Sequence, residues 1–144
     1  MAAVDVTTSI VINRPLAEVA AFAANPDNVP KWYVNITSVE RKKPPPARVG
    51  SRIAFVAHFL GKRIAYTYEI VELTDRKLVM RTAEGPFPME TTYEWEPTEG
   101  GTRMTLRNRG TPSGFASITA PFMARAMRRA NEKDLAALKP LLEA

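Results

Sequence analysis

The residues best placed to do chemistry or hold a ligand are a set of hydroxyls and one amide at alternate positions. They are Tyr66 and Tyr68 in "KRIAYTYEIVEL", Thr82 in "KLVMRTAE", Thr91 and Tyr93 in "METTYEWE", and Asn108 in "TRMTLRNRG". Spaced two apart in runs rich in β-branched and aromatic residues, they lie on one face of strands. Charge marks the other face: Glu90, Thr92, Glu94 and Glu96 meet water, so Met89, Thr91, Tyr93 and Trp95 turn inward. By the same alternation Arg103, Thr105, Arg107 and Arg109 face out, and Met104, Leu106 and Asn108 face in. Ile53, Phe55, Ala57 and Phe59 point inward on an earlier run, as do Ile64 and Ile70 beside the two tyrosines, and Leu78 and Met80 beside Thr82. Hydroxyls and an amide on an apolar wall orient a ligand by hydrogen bonds. Alternatively, they satisfy one another or hold buried water. Together they are more than a small packed core needs, which favours a cavity of about 300 Å³ or more.

Bond-making chemistry asks for something else: a nucleophile with its base, a pair of carboxylates, or a metal cluster. The chain has no cysteine, which removes disulfides, thiolate metal sites and cysteine nucleophiles together. His58 is the single histidine, and alternation puts it between Ala57 and Phe59 on the outer, solvated face, without the partners a metal or a catalytic imidazole requires. The glycines of "EGGT" form a hairpin turn rather than a phosphate loop. Glu72, at a strand end, is the one carboxylate that could turn inward. No metal, cofactor or catalytic residue is assigned, and binding is favoured over catalysis.

These side chains need a frame to aim them. Val4 to Asn13 alternates and is β-branched, a strand. In "RPLAEVAAFAANPDNVPKW" the period lengthens: Leu16, Val19, Ala20 and Ala23 share a helical face, Pro26 ends the run, and a second short turn reaches Pro30. Strands follow over Val34–Arg41, Ser51–Leu60, Lys62–Leu73, Lys77–Glu84, Met89–Glu96 and Thr102–Arg109. The links between them are too short for crossover helices, so the strands form an antiparallel meander. After "RGTPSG" the helical period returns and stays. Phe115, Phe122, Met123, Ala126, Met127, Ala130, Ala137, Leu138 and Leu141 fall on one side, and Arg125, Arg128, Arg129, Glu132 and Lys139 on the other. Pro121 either kinks this helix or marks its start. The fold class is α+β, a seven-stranded antiparallel sheet against a long C-terminal helix, with two short helices after the first strand. A chain of 144 residues, 45% hydrophobic, is expected to make one domain over residues 1–144.

Several segments also carry a family's wording: "INRPLAEVAAFAANPDNVPKW", "VGSRI", "LGKRIAYTYEIVEL", "GGTRMTLRNRG" and "APFMARAMRRANEKDLAALKPLLEA". Together, over nearly the whole chain, they resemble the SRPBCC superfamily of START-like proteins, in its polyketide cyclase/dehydrase and lipid-transport branch. The resemblance implies a helix-grip fold, a curved sheet wrapped around the C-terminal helix. It also implies a small hydrophobic ligand, such as a lipid, polyketide or aromatic metabolite, in a cavity between the two. A cyclase of that branch is the alternative, with Tyr66, Tyr68 and Asn108 polarising a carbonyl. Enzymatic members generally place stronger acid/base groups in the cavity.

A meander sorts its turns between two ends of the sheet. One end gathers Trp32, Tyr33, Leu60, Phe87 and Phe115, and the other gathers no aromatic. Phe87 stands between Pro86 and Pro88, which hold it in one orientation. These aromatics either rim a ligand entrance or plug the end of the core, and the entrance is favoured. The expected ligand-binding set is Trp32, Phe55, Phe59, Tyr66, Tyr68, Met80, Thr82, Phe87, Met89, Thr91, Tyr93, Met104, Leu106, Asn108, Phe115, Phe122 and Met123. The net charge of +5 raises nucleic acid or an anionic membrane as partners. A hairpin register opposing Glu90 to Arg109 and Glu96 to Arg103 would cancel much of it, and no aromatics interleave the remaining arginines to stack bases. The expected partner is a small hydrophobic molecule, with no nucleic acid and no stable membrane insertion. With no basic stretch before an apolar run, the chain reads as a soluble cytoplasmic protein.

Overall fold

Alternating residues joined by short links commit the chain to strands. The computed structural model, which describes residues 4–41, 48–59, 61–85, 88–110 and 120–144, gives their bounds. They are β1 (Val4–Ile12), β2 (Ile36–Arg41), β3 (Arg52–Phe59), β4 (Lys62–Leu73), β5 (Lys77–Glu84), β6 (Met89–Thr98) and β7 (Gly101–Gly110). Between β1 and β2 lie α1 (Leu16–Ala23), a 3-10 turn (Pro26–Asn28) and α2 (Val29–Trp32), and the chain ends in α3 (Ala120–Glu143). The strands form one curved antiparallel sheet in the order β1-β7-β6-β5-β4-β3-β2. The first strand thus pairs with the last, and the rest follow as a meander.

The β6–β7 hairpin reverses at Glu99–Gly100, with Gly100 in the left-handed region at φ 84°. It closes in the register that sets Glu90 against Arg109 and Glu96 against Arg103. On the outer face Arg109 and Arg81 each approach Glu90 to 2.6 Å, and Arg107 forms a bidentate pair with Asp5. Burial pushes the Glu90 carboxyl up, but the two guanidiniums outweigh it and hold the group below its ordinary range.

Pro121 is the second described residue of α3, and the residues before Ala120 lie outside the described ones. The other end is fastened to the chain after β1. Arg14 donates to the carbonyls of Leu142, Glu143 and Ala144, acceptors that a helix leaves unused at its C-terminus. The Asn13 N–H donates to Glu143 Oε2 at 2.8 Å, and Lys139 Nζ to the Val11 carbonyl at 2.8 Å. Beneath this clamp the core is solid: Leu135, Leu138 and Leu142 join Ile12, Val19, Trp95, Met104 and Leu106, all buried.

Two expectations fail here. Phe122 and Leu141 are 54% and 45% exposed. The buried stripe of α3 instead runs through Met123, Asn131, Asp134, Leu135, Leu138 and Leu142. Two polar members interrupt the apolar pattern, which rotates the face that apolar residues alone pick out. Glu72 is exposed and pairs with Lys77 rather than facing in. The β4–β5 register shifts between Ile70 and Glu72, and the extra residue reverses which face Glu72 takes.

Candidate functional site

Between the sheet and the N-terminal half of α3 lies a cavity of about 120 Å³, smaller than the volume expected from sequence. It sits at the end of the sheet that holds the β3–β4 hairpin. Ile64 borders the β3–β4 hairpin, Met89 opens β6, Asn108 is near the end of β7, and Met123 is in the first turn of α3. Of the expected residues, Phe55, Tyr66, Tyr68, Met80, Met89, Thr91, Tyr93, Asn108 and Met123 line it.

Others stand elsewhere. Trp32 is 1% exposed but lies behind the wall, its ring 4.4 Å from Tyr33 and 5.6 Å from Tyr93. Met104 and Leu106 are fully buried in the core that includes Leu135, Leu138 and Leu142, and they do not line the cavity. Thr82 spends its hydroxyl on its own hairpin, accepting from the Met89 N–H at 2.9 Å and donating to the Met89 carbonyl. Phe122 faces solvent. Phe87, Phe115 and Leu60 lie outside the described residues, as does the side chain of Phe59.

The wall is polar along one line. Tyr68 and Thr91 share a hydrogen bond of 2.8 Å, the Thr91 hydroxyl donates to Asn108 Oδ1, and Asn108 Nδ2 donates to Asn131 Oδ1 at 3.0 Å. Across from it the hydroxyls of Tyr33 and Tyr93 lie 2.7 Å apart. Desolvation pushes the Tyr68 phenol up to about 12 against its hydrogen bond with Thr91, which lowers it. It also raises Tyr33, Tyr66 and Tyr93 well above the ordinary phenol value, so all four stay neutral at physiological pH.

Sequence reading missed the carboxylate. Asp134, on the inner face of α3, is 3% exposed and lines the cavity, with Oδ1 accepting the Val34 N–H at 2.9 Å. Desolvation lifts it to about 7, opposed by that single hydrogen bond. Asn131, one turn earlier, is equally buried, and its Nδ2 has no partner among the described residues. Both sit at helical spacing from Met123 and Met127, a signal that a search for apolar residues passes over. A titratable group poised near neutrality in a cavity can accept or deliver a proton, and neutral phenols beside it can donate hydrogen bonds.

Residues 3–143 match the family described as polyketide cyclase / dehydrase and lipid transport, and the chain belongs to it. No curated protein matches. Among solved structures the chain is similar to TTHA0849 from Thermus thermophilus, with 23% identity, a TM-score of 0.82 and 96% of each chain covered. It is also similar to the Zhui aromatase/cyclase from Streptomyces sp. R1128, at 14% identity and a TM-score of 0.79, covering 99% of this chain and 94% of that one. A START superfamily protein from Mycobacterium smegmatis matches at 11% identity and a TM-score of 0.80, with 96% and 97% covered. At these identities the likeness shows the fold, the helix-grip arrangement of a START-like protein. No helix among the described residues is long and apolar enough to cross a membrane.

Proposed function

We propose that this protein binds a small, mainly apolar molecule in the cavity between its sheet and α3. The observation that carries the reading is the cavity itself: an aromatic and methionine wall, with Phe55, Tyr66, Met80, Met89, Met123 and Met127 around a short line of polar atoms. A volume of about 120 Å³ suits one substituted ring as it stands. Methionine side chains turn about three bonds, so four of them lining the cavity let the wall yield to something larger. Arg81, Arg107 and Arg109 of the outer face are engaged by Glu90 and Asp5, which supports leaving nucleic acid out of the reading. Native mass spectrometry of freshly purified protein should find an apolar small molecule, and stripped protein should take up apolar probes. Protein that carries nothing and binds no probe would sink the proposal.

Asp134 favours a second reading, in which the protein is a cyclase/dehydrase acting on its ligand in the same cavity. Alternation along the strands offers catalysis no inward carboxylate, but Asp134 on α3 is one, with a proton affinity suited to acid/base work. That reading requires wild type to form a cyclised product from a poly-β-ketone substrate, and Asp134→Asn at saturating substrate not to.

A further inference from the structure

The hydrogen-bond chain on the cavity wall runs in one direction. Tyr68 gives its hydrogen to Thr91, Thr91 to Asn108 Oδ1, and Asn108 Nδ2 to Asn131 Oδ1. Asn131 Nδ2 is therefore the last donor, buried at the cavity with no acceptor among the described residues. Buried polar groups in folded proteins are almost always paired, so an orphan here needs an explanation. One turn along α3, Asp134 is as deeply buried, and no cation among the described residues pairs with it. Two groups three apart on a helix stand about 5–6 Å apart at Cβ, and one oxygen atom fits between their tips.

The groups facing Asp134 offer no counter-charge. Tyr33 after α2, Tyr66 on β4 and Tyr93 on β6 feel its charge, and all three phenols are held neutral by burial. Tyr33 and Tyr93 already bond each other. On α2, Lys31 turns to Asn28 Oδ1, and on α3 itself Glu132 and Lys133 are exposed. The carboxylate and the amide are thus left for something that enters the cavity.

Given the binding role inferred above, we propose that the ligand is an uncharged molecule bearing one alcohol or phenol hydroxyl, seated between Asp134 and Asn131. Its hydrogen goes to the carboxylate, and its oxygen accepts from Asn131 Nδ2. An ammonium has no lone pair and would leave Asn131 unsatisfied. A ketone has no hydrogen to give and would require Asp134 to stay protonated. Of these three groups, only a hydroxyl serves both with the carboxylate ionised.

Three probes of one size separate these cases: toluene, p-cresol and benzylamine, titrated calorimetrically into wild type, Asp134→Asn and Asn131→Leu at pH 6 and pH 8. Asp134→Asn keeps an oxygen for the Val34 N–H, and circular dichroism checks both folds. Wild type should hold p-cresol at least as tightly as toluene, and more tightly at pH 8, where the carboxylate is the stronger acceptor. The p-cresol to toluene preference should drop roughly tenfold or more in each variant, the usual weight of a hydrogen bond to a charged or buried partner. Toluene binding with the preference unchanged in the variants would overturn the hydroxyl assignment while leaving the binding role standing. A preference for benzylamine, or p-cresol binding that weakens from pH 6 to pH 8, would overturn it in favour of an ammonium or a carbonyl. If none of the three binds, the binding role fails and takes this assignment with it.

Discussion

Replacing Asp134 by Asn removes one buried ionisation and almost nothing else, since the amide oxygen can still take the Val34 N–H. The carboxyl has an ordinary value of 3.8 and is raised by burial to about 7 in the folded protein. A folded-state value above the unfolded one means that the native protein holds the proton more tightly. The stabilisation is therefore complete below pH 3.8 and is lost as pH rises through 7. Over that span wild type should lose about 1.4 kcal/mol per pH unit relative to the variant, about 4 kcal/mol in all. Near pH 4 the two proteins should be almost equally stable, and at pH 8 Asp134→Asn should be the more stable, with a melting temperature higher by on the order of 10 °C. Asp5, Glu90 and Glu143, whose values are lowered, titrate alike in both proteins and cancel in the difference. Urea denaturation of both proteins at half-unit steps from pH 4.5 to pH 8.5 measures the divergence. A stability difference that stays flat with pH, or an aspartate protein that is the more stable at pH 8, would refute the claim of an uncompensated buried carboxylate.

Two further substitutions test how the frame is built. Gly101→Ala puts a Cβ 2.2 Å from the Ile12 carbonyl oxygen, backbone that cannot move aside, so it should cost about 2 kcal/mol or more in urea denaturation; an unchanged midpoint would contradict the close β1–β7 approach. Met123→Ala should cost about 2–5 kcal/mol and Phe122→Ala less than about 1, because Met123 is 1% exposed and its neighbour 54%; the reverse order would mean that α3 is rotated.

Much of the frame was legible because its signals are local. The alternation of "METTYEWE" against "TRMTLRNRG", with Glu99–Gly100 between them, determined two strands, their turn and their register, as the pairing of Glu90 with Arg109 bears out. The same alternation put Tyr66, Tyr68, Thr91, Tyr93 and Asn108 on the inner face, where all five line the cavity. Alternation failed at Glu72, where one extra residue at the register shift exchanged the faces, and nothing in the local composition announces such a bulge.

The sequence by itself determined the strands, the meander order from β2 to β7, the long helix and most of the strand residues that face inward, since each follows from period, turn chemistry and chain length between neighbours; the pairing of β1 with β7, about a hundred residues apart, came from the tertiary structure. Whether an inward residue meets the cavity or the solid core was decided only by the tertiary structure. Met104 and Asn108 stand on the same face of β7, yet one packs under the C-terminal half of α3 and the other opens onto the space beneath its first half. That division depends on where the Arg14 clamp fixes the helix across the sheet, a contact between residues 128 apart in the chain. The burial of Asp134 was decided in the same way. A carboxylate on an amphipathic helix reads as solvent-facing until packing encloses it, and desolvation, which has no local signature, is what lifts its proton affinity.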